Sequence, residues 1–319
     1  MRYTLGVLAG SFLTVVLHPV VGLPLAAAAM AGLAYGGRSW WAVFAAAAGG
    51  VLATLVGHTT VYVVVLPLVG VELGESAPLA YGVSSVASLL LVGPVACRYL
   101  RTGSAYRTMT LIAVGLSALQ AITLAVFAVG AGRSLQTFVV ASVAAMAEQA
   151  GALSDMQEAI VAAWPGLLVS MNGFVAVLAV AIIGRAGTRR GVDVRTLPPL
   201  ARLDLDVRVA VLPIVAIALL AASRLDLALG PQLEVVGLNA LIVARWVFFL
   251  QGVAVFAGLY ERAGFPRVTR SLGYVLLGVT EALVPLVSLT GLVDVWLNMR
   301  RLPRDGAAAG AVEAPRDRD

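Results

Sequence analysis

The sequence contains no lysine and few charged residues of any kind. All 22 basic residues are arginine, and charged residues make up 12% of the 319 residues, whereas hydrophobic residues make up 60%. Soluble domains are about 45–50% apolar and about 25% charged. A single soluble core could not enclose so much apolar surface, but a bilayer would cover it from outside. The composition therefore predicts an integral membrane protein.

Cysteine and histidine are also scarce. Cys97 is the single cysteine, which excludes an intramolecular disulfide and a cysteine-cluster metal site. The two histidines, His18 and His58, lie in separate predicted helices and form a weak metal pair. Zinc-protease, nucleophile-elbow and phosphate-loop motifs are missing from the sequence. We therefore expect no enzyme activity, no metal and no cofactor.

Apolar runs of 18 or more residues recur along the chain and predict membrane helices. We expect an all-α fold, a polytopic transmembrane helix bundle with eight or nine membrane segments. Residues 133–161 mix acidic and apolar residues and predict amphipathic helices lying on the membrane surface. Residues 1–301 are expected to form one integral membrane domain, and residues 302–319 a disordered tail. The predicted segments are 4–17, 20–36, 42–69, 78–97, 108–130, 165–184, 209–224, 236–260 and 271–298.

Three arginine-rich loops, 98–107, 185–208 and 262–270, are separated by pairs of predicted segments, so they fall on one side of the membrane. The positive-inside rule predicts that this side is the cytoplasmic side of a bacterial inner membrane. Nine segments would place the tail outside, although Arg300 and Arg301 favour the inside. A re-entrant first segment, or a last helix that does not fully cross, would change this parity.

Two opposite charges lie deep in the last two predicted segments. Arg245 is roughly 22 Å from the 260 end of its segment, and Glu281 is roughly 15 Å from the 271 end of the next. A charge at such depth costs at least a few kcal/mol and usually has a partner. The segments are joined by a short loop, so we expect antiparallel neighbours and an Arg245–Glu281 ion pair.

Pro285 follows Glu281 by one helical turn. It lacks the N–H group that would bond to the carbonyl oxygen of Glu281. A freed carbonyl beside a carboxylate could bind a proton, a cation or a polar substrate. The structural alternative is a kink healed by Thr280, with an ion pair that only locks two helices together.

Other polar residues occupy the same segments and one earlier segment. Asp294 precedes two arginines at an interfacial end, where it either holds an arginine or caps a turn. Asn172 is expected to bond between helices rather than to a ligand. The full set of candidate ligand or ion-pair residues is Arg245, Glu281, Asn239, Gln251, Asp294, Asn298 and Asn172.

Three stretches carry a resemblance to a family: WPGLLVSMNGFVAVLAVAIIGR, NALIVARWVFFLQGVAVFAGLYERAG and LVPLVSLTGLVDVWLNMRR. An Asn at the start of a span, a Q-G inside it and a closing G-L-x-D-x-W-x-N-x-R resemble the YybS-like family of uncharacterised bacterial membrane proteins. The resemblance is clearest over 160–301. It implies a remote similarity to the S components of energy-coupling-factor vitamin transporters, which have about six spans. The residues that match the family pattern are Asn172, Asn239, Gln251, Gly252, Asp294 and Arg300.

Two functions remain open on these observations. A small-molecule transporter or solute-binding membrane component would place a polar cavity between the segments of Arg245 and Glu281. A non-transporting membrane scaffold or assembly factor would have a filled core with that pair fully satisfied. The expected partners are the lipid bilayer, a small-molecule or cation ligand and a membrane partner subunit. Nucleic acid is not expected, because no basic soluble domain is present.

Overall fold

The computed structural model describes residues 4–9, 19–36, 40–58, 92, 96–141, 154–225 and 228–303. These ranges contain helices, turns and no strand, so the expectation of an all-helical protein is confirmed for them. Nine α-helices of the described residues are numbered here: α1 Pro19–Ala34, α2 Trp40–His58, α3 Ala96–Thr102, α4 Ala105–Gly130, α5 Ser154–Thr188, α6 Val211–Ala222, α7 Gly230–Arg262, α8 Arg267–Leu283 and α9 Leu286–Leu297. Residues 4–9 and 135–141 are also helical but are not numbered.

The chain divides into two compact units, Met1–Leu197 and Pro198–Asp319. In the first unit, α5 packs against both α1 and α4. The contact surfaces consist mostly of alanine and β-branched side chains, and small side chains allow helix axes to approach closely. The buried residues of α1 and α5 include Ala26, Ala27, Met30, Ala31, Ala176, Ala179, Val180 and Ile183.

Helix α4 exposes an apolar face. Leu111, Val114, Ile122 and Val126 are 48%, 59%, 61% and 63% exposed, and their spacing places them along one side of the helix. Contiguous apolar surface of this kind is unusual on soluble monomers and marks contact with lipid or another apolar partner. The exposed face therefore agrees with a helix that contacts lipid on this side.

In the second unit, α7 packs against both α6 and α9. Glycines make both contacts close. A Cβ atom on Gly252 would overlap the carbonyl oxygen of Val287, and one on Gly291 would overlap the carbonyl oxygen of Phe248. On the α6 side, a Cβ atom on Gly237 would lie 2.9 Å from Leu220. The backbones of α7 and α9 are therefore in direct contact.

Three helices are long and apolar enough to cross a membrane: Ala105–Gly130, Ala159–Thr188 and Gly230–Arg262. The α8–α9 pair makes a fourth if it is taken as one broken span. The described ranges therefore do not confirm eight or nine segments. The bend predicted at His18 and parts of the predicted segments 4–17, 42–69 and 78–97 lie outside the described residues, as do residues 142–153 of the predicted surface helices and residues 304–319 of the predicted tail.

Three predicted segments differ from the structure. The segment 209–224 is a 3₁₀ turn, Val207–Ala210, followed by the 12-residue α6, so its α-helical part is about 18 Å long. The segment 165–184 was expected to begin at Pro165, but α5 continues through this proline from Ser154. The segment 271–298 is not one helix, because it breaks after Leu283.

Candidate functional site

A sharp break separates α8 from α9. The two helices are bent by 101°. Val284 leaves the helical conformation, with φ −142° and ψ 132°, and Pro285 occupies the position before α9. Proline cannot continue the hydrogen-bonding pattern of the preceding turn, but it is well suited to the start of a helix. The break therefore follows from the sequence at Pro285, although its angle does not.

Arg245 of α7 and Glu281 of α8 form an ion pair at this break. The Nε atom of Arg245 donates to Oε1 of Glu281 over 2.7 Å. The carboxylate side chain is 11% exposed, whereas the arginine side chain is 46% exposed. Burial of a carboxylate is costly unless it is paired and hydrogen-bonded, and Arg245 supplies the opposite charge.

Glu281 also caps the second half of the broken helix. The backbone N–H of Ser288 donates to Oε2 of Glu281 over 3.0 Å, and the Ser288 hydroxyl donates to Oε1 over 2.9 Å. The first N–H groups of a helix have no partner within the helix, and a carboxylate there is favoured by the helix dipole. The Glu281 side chain thus forms an ion pair with Arg245 of α7 and caps the N-terminus of α9 with its hydrogen bonds.

The carbonyl oxygen of Glu281 is occupied. The Nη2 atom of Arg245 donates to it, replacing the N–H that Pro285 lacks. The expectation of a freed carbonyl is therefore wrong, and the Thr280 hydroxyl is not what fills the position. Arg245 satisfies both the carboxylate and the carbonyl of the same residue.

Arg245 lies near the middle of α7. At 1.5 Å per residue it is about 22 Å from Gly230 and about 26 Å from Arg262. Its Nε and Nη2 atoms both bond to Glu281, and Nη1 bonds to no group among the described residues. A guanidinium that is nearly half exposed at this depth requires a polar or charged neighbour on its open side.

A second polar cluster is buried at the other end of α9. Arg300 is 2% exposed and Asp294 is completely buried. The Nη2 and Nε atoms of Arg300 donate to Oδ2 of Asp294 over 2.8 and 3.1 Å, and Nη2 also donates to Oδ1 of Asp204 over 3.2 Å. Nη1 donates to the carbonyl oxygens of Ala201 and Leu203 over 3.1 and 2.6 Å. All three guanidinium nitrogens are therefore used.

Gln251 connects the two carboxylates of this cluster. Its Nε2 atom donates to Asp204 over 3.0 Å and to Asp294 over 2.9 Å, while its Oε1 atom accepts from the backbone N–H of Leu205 over 3.2 Å. The side chain is completely buried. Buried polar networks are stable when every member has partners. This network joins α7, α9 and the segment 201–205 into one body.

A tight turn after α9 returns the chain to this cluster. Asn298 has φ +43°, a left-handed conformation that asparagine tolerates better than most residues. Its amide donates to the carbonyl oxygen of Leu302 over 2.8 Å, and its Oδ1 atom accepts from the Leu302 N–H over 2.9 Å. The turn directs Arg300 back towards Asp294, and the stem of Arg300 passes 3.4 Å from where a Cβ atom on Gly258 would lie.

The two remaining candidate residues have structural partners elsewhere. Asn239 donates to the carbonyl oxygen of Val235, one turn earlier in α7, over 2.7 Å. Asn172 of α5 donates to Ser117 over 3.2 Å and to Gln120 over 2.8 Å, and both partners lie on α4. Asn172 therefore bonds between helices. Neither residue belongs to the polar groups around α9.

Sequence reasoning missed two members of the site. Ser288 was not singled out, because a serine at the third position of a helix is not the usual N-cap signal, which places the serine immediately before the helix. Asp204 lies in an arginine-rich loop, where an acidic residue is usually solvated, so no local signal marks it as a partner of Arg300. Its role depends on how the segment 201–205 folds against α7.

A family model described as "Predicted membrane protein (DUF2232)" matches residues 7–295. The chain belongs to this family. The match includes Arg245, Gln251, Glu281 and Asp294 and ends before Asn298, so the turn that carries Arg300 lies beyond it. Membership establishes a membrane protein that contacts the lipid bilayer. Comparison with curated proteins and with solved structures gives no match.

Proposed function

We propose that this family member is a solute-binding component of a small-molecule transport system in the bacterial inner membrane. Arg245 would be its charged contact with the solute. The observation that supports this proposal is the half-exposed guanidinium at the centre of a membrane-length helix. Hydrocarbon is a poor environment for a cation. A hydrated cavity on the exposed side of Arg245 would solvate the guanidinium and would admit a polar solute.

The helix break beside Arg245 supports the same proposal. Many transporters place their binding sites where a membrane helix is interrupted, because half-helix ends offer polar backbone groups inside the bilayer. In this chain Glu281 and Ser288 lie at the break, next to Arg245. The resemblance to the YybS-like family and to S components of energy-coupling-factor transporters agrees in outline. Such a component would need a membrane partner subunit and would carry out no enzymatic reaction.

The proposed orientation places the three arginine-rich loops in the cytoplasm. Eight or nine membrane segments remain the predicted total for the whole chain. Neither feature is needed for the solute site, which is formed by α7, α8 and α9 alone.

A non-transporting scaffold or assembly factor is the second candidate. Two observations favour the scaffold: every guanidinium nitrogen of Arg300 is hydrogen-bonded within the protein, and the backbones of α7 and α9 are in direct contact. These features produce a rigid body and do not need a ligand. The two candidates differ in what lies on the open side of Arg245: water and solute in the first, and a protein partner or packed lipid in the second.

Cysteine accessibility distinguishes these candidates. Leu241 lies one turn before Arg245 on the same face of α7, and Val275 is an exposed apolar residue of α8. Leu241→Cys and Val275→Cys would be labelled with a membrane-impermeant maleimide after reconstitution of the full chain into lipid nanodiscs. We expect position 241 to react and position 275 to stay unlabelled. If position 241 is as inert as position 275, a hydrated solute site at Arg245 is excluded.

A further inference from the structure

One end of the second unit gathers arginine side chains. Arg262 is the last residue of α7 and Arg267 the first of α8, with four residues between them. The Nη2 atom of Arg262 donates to the carbonyl oxygen of Arg300, so the turn after α9 lies against the last turn of α7. We call this group the arginine rim. Its members are Arg202, Arg262, Arg267, Arg270 and Arg301.

Contacts place the other members at the same end. The carbonyl oxygen of Ala201, next to Arg202, accepts from Arg300 over 3.1 Å. Arg270 donates to the carbonyl oxygen of Phe265 over 2.7 Å, and its Nη1 atom lies 3.9 Å from Glu261. Arg202, Arg262, Arg267 and Arg301 are exposed. The rim is therefore a cationic surface formed by three separate parts of the chain.

The carboxylates at this end do not neutralise it. Asp204 and Asp294 are both engaged by the buried Arg300, and Glu261 is the nearest acidic group of the rim. Counting Arg300, six arginines face three carboxylates among the described residues of this end, which leaves three positive charges. An anionic partner is thus favoured over a neutral or cationic one.

An apolar stripe on α8 begins where the rim ends. Val268 follows Arg267 directly and is 73% exposed, and Leu272, Leu276, Val279 and Leu283 are 60%, 64%, 53% and 80% exposed. Their spacing of three or four residues places them on one side of the helix. Cationic groups next to a long exposed apolar stripe match the anionic headgroup and the acyl chains of a phospholipid. A soluble anion would use the cationic groups but not the stripe.

Aromatic side chains lie beside the rim, where α7 ends and α8 begins. The ring of Tyr260 lies 5.7 Å from the rings of both Phe265 and Tyr274, measured between centroids. Tyrosine is enriched at the depth of the lipid headgroups, where one end of the side chain is apolar and the other is wet. The cluster therefore places the rim at headgroup level.

We infer that the arginine rim binds the headgroup of an anionic phospholipid, whose acyl chains lie along the apolar stripe of α8. Arg267 and Arg270 would contact the phosphate, because they lie in the first turn of α8, at the end of the helix where the stripe begins. Basic pockets at membrane-helix ends recognise anionic headgroups through charge and hydrogen bonds. This inference does not depend on the proposed solute site at Arg245.

Native mass spectrometry of the purified full chain tests the inference. The chain would be titrated with phosphatidylglycerol and with phosphatidylcholine of the same acyl chains, and separately with glycerol 3-phosphate as a free headgroup. We expect preferential retention of phosphatidylglycerol, with little competition from glycerol 3-phosphate. Arg267→Gln/Arg270→Gln should weaken phosphatidylglycerol binding about 25-fold, at about fivefold for each arginine.

A charge-matched control is available within the same unit. Arg208 and Arg224 lie outside the rim and are 90% and 76% exposed, so Arg208→Gln/Arg224→Gln should leave binding within twofold of the parent chain. Arg267→Lys/Arg270→Lys keeps the charge and should retain most binding. If the double glutamine variant does not fold, Arg267→Gln alone should still show the fivefold loss.

Three outcomes would overturn the inference. An equal loss in Arg208→Gln/Arg224→Gln would indicate a response to overall charge. Equal retention of phosphatidylcholine would exclude recognition of an anionic headgroup. Binding of glycerol 3-phosphate as tight as that of phosphatidylglycerol would show that the rim takes a soluble phosphate compound and that the apolar stripe has no part in it.

Discussion

Glu281, in the last turn of α8, accepts hydrogen bonds from both the backbone N–H and the hydroxyl of Ser288 in the first turn of α9. A helix break usually leaves backbone groups without partners. In this chain the Glu281 carboxylate caps the start of α9, and Arg245 donates both to that carboxylate and to the backbone carbonyl of Glu281, four residues before Pro285. The break is therefore a stable element of the fold, held together by three side chains.

Replacing Glu281 should destabilise the second unit. Glu281→Ala removes the partner of Arg245 and the cap of α9, and we expect the free energy of unfolding to fall by about 2–3 kcal/mol. Equilibrium unfolding in mixed micelles would measure it. Glu234→Ala is the matched control, because Glu234 pairs with Arg224 at an exposed site and such pairs contribute less than about 1 kcal/mol.

Charge exchange tests the ion pair itself. Arg245→Glu/Glu281→Arg should recover part of the stability lost in either single reversal, since opposite charges face each other again. Recovery should be incomplete, because an arginine at position 281 would repel the N-terminus of α9. A double variant no more stable than the weaker single reversal would refute the pairing as a source of stability.

The contact between α7 and α9 should not tolerate a methyl group. Gly291→Ala would bring a Cβ atom into the backbone of Phe248 and Gly252, and we expect a loss of about 1–3 kcal/mol from forced separation of the helices. Gly278 of α8 has no atom within 4 Å of its Cβ position. Gly278→Ala should therefore be neutral or stabilising, because alanine favours helix more than glycine does. Thermal melting of both variants would show the difference.

Arg300→Lys should be far more harmful than the same change at the neighbouring position. A lysine ammonium cannot reach Asp294, Asp204 and two carbonyl oxygens in the planar arrangement that the guanidinium uses. We expect a loss of about 2–4 kcal/mol. Arg301 is exposed, so Arg301→Lys should change stability by less than about 0.5 kcal/mol. Similar melting temperatures for the two variants would contradict the importance of the network.

Cys97 should be inert in the folded protein. The thiol is completely buried, so a reagent cannot reach it in the folded chain. At pH 7–9 the folded chain should therefore not react with N-ethylmaleimide, whereas the chain unfolded in dodecyl sulfate should. Rapid modification of the folded chain would contradict the burial and would require replacement of Cys97 before the labelling test at position 241.

Several features of the last two helices could be inferred from local sequence. Arg245 and Glu281 are isolated opposite charges at similar depth in neighbouring apolar segments, so each has few alternative partners. Because burying either charge without a partner costs free energy, their contact could be predicted. Pro285 likewise marks an interruption, because proline removes a backbone donor wherever it occurs inside a helix. These inferences need only helix geometry and the dielectric properties of a membrane.

Other features could not be inferred in this way. The sequence does not encode the 101° bend locally, because that angle depends on how α8 and α9 each pack against α7. The role of Asp204 depends on a residue 96 positions before Arg300 in the chain lying against it. The division of the segment 209–224 into a 3₁₀ turn and the short α6 could not be inferred either, since hydropathy records apolar character but not where a helix begins.

By itself the sequence determined the class of this protein: an all-helical membrane protein with its deep charges in the last two helices. Composition and periodicity suffice for that, because solvation in lipid acts on each segment separately. The tertiary structure decided which polar groups meet. Arg245 closes the break at Glu281, while Arg300, Asp294, Gln251 and Asp204 assemble from distant parts of the chain. Their proximity results from packing between helices, which no single segment specifies.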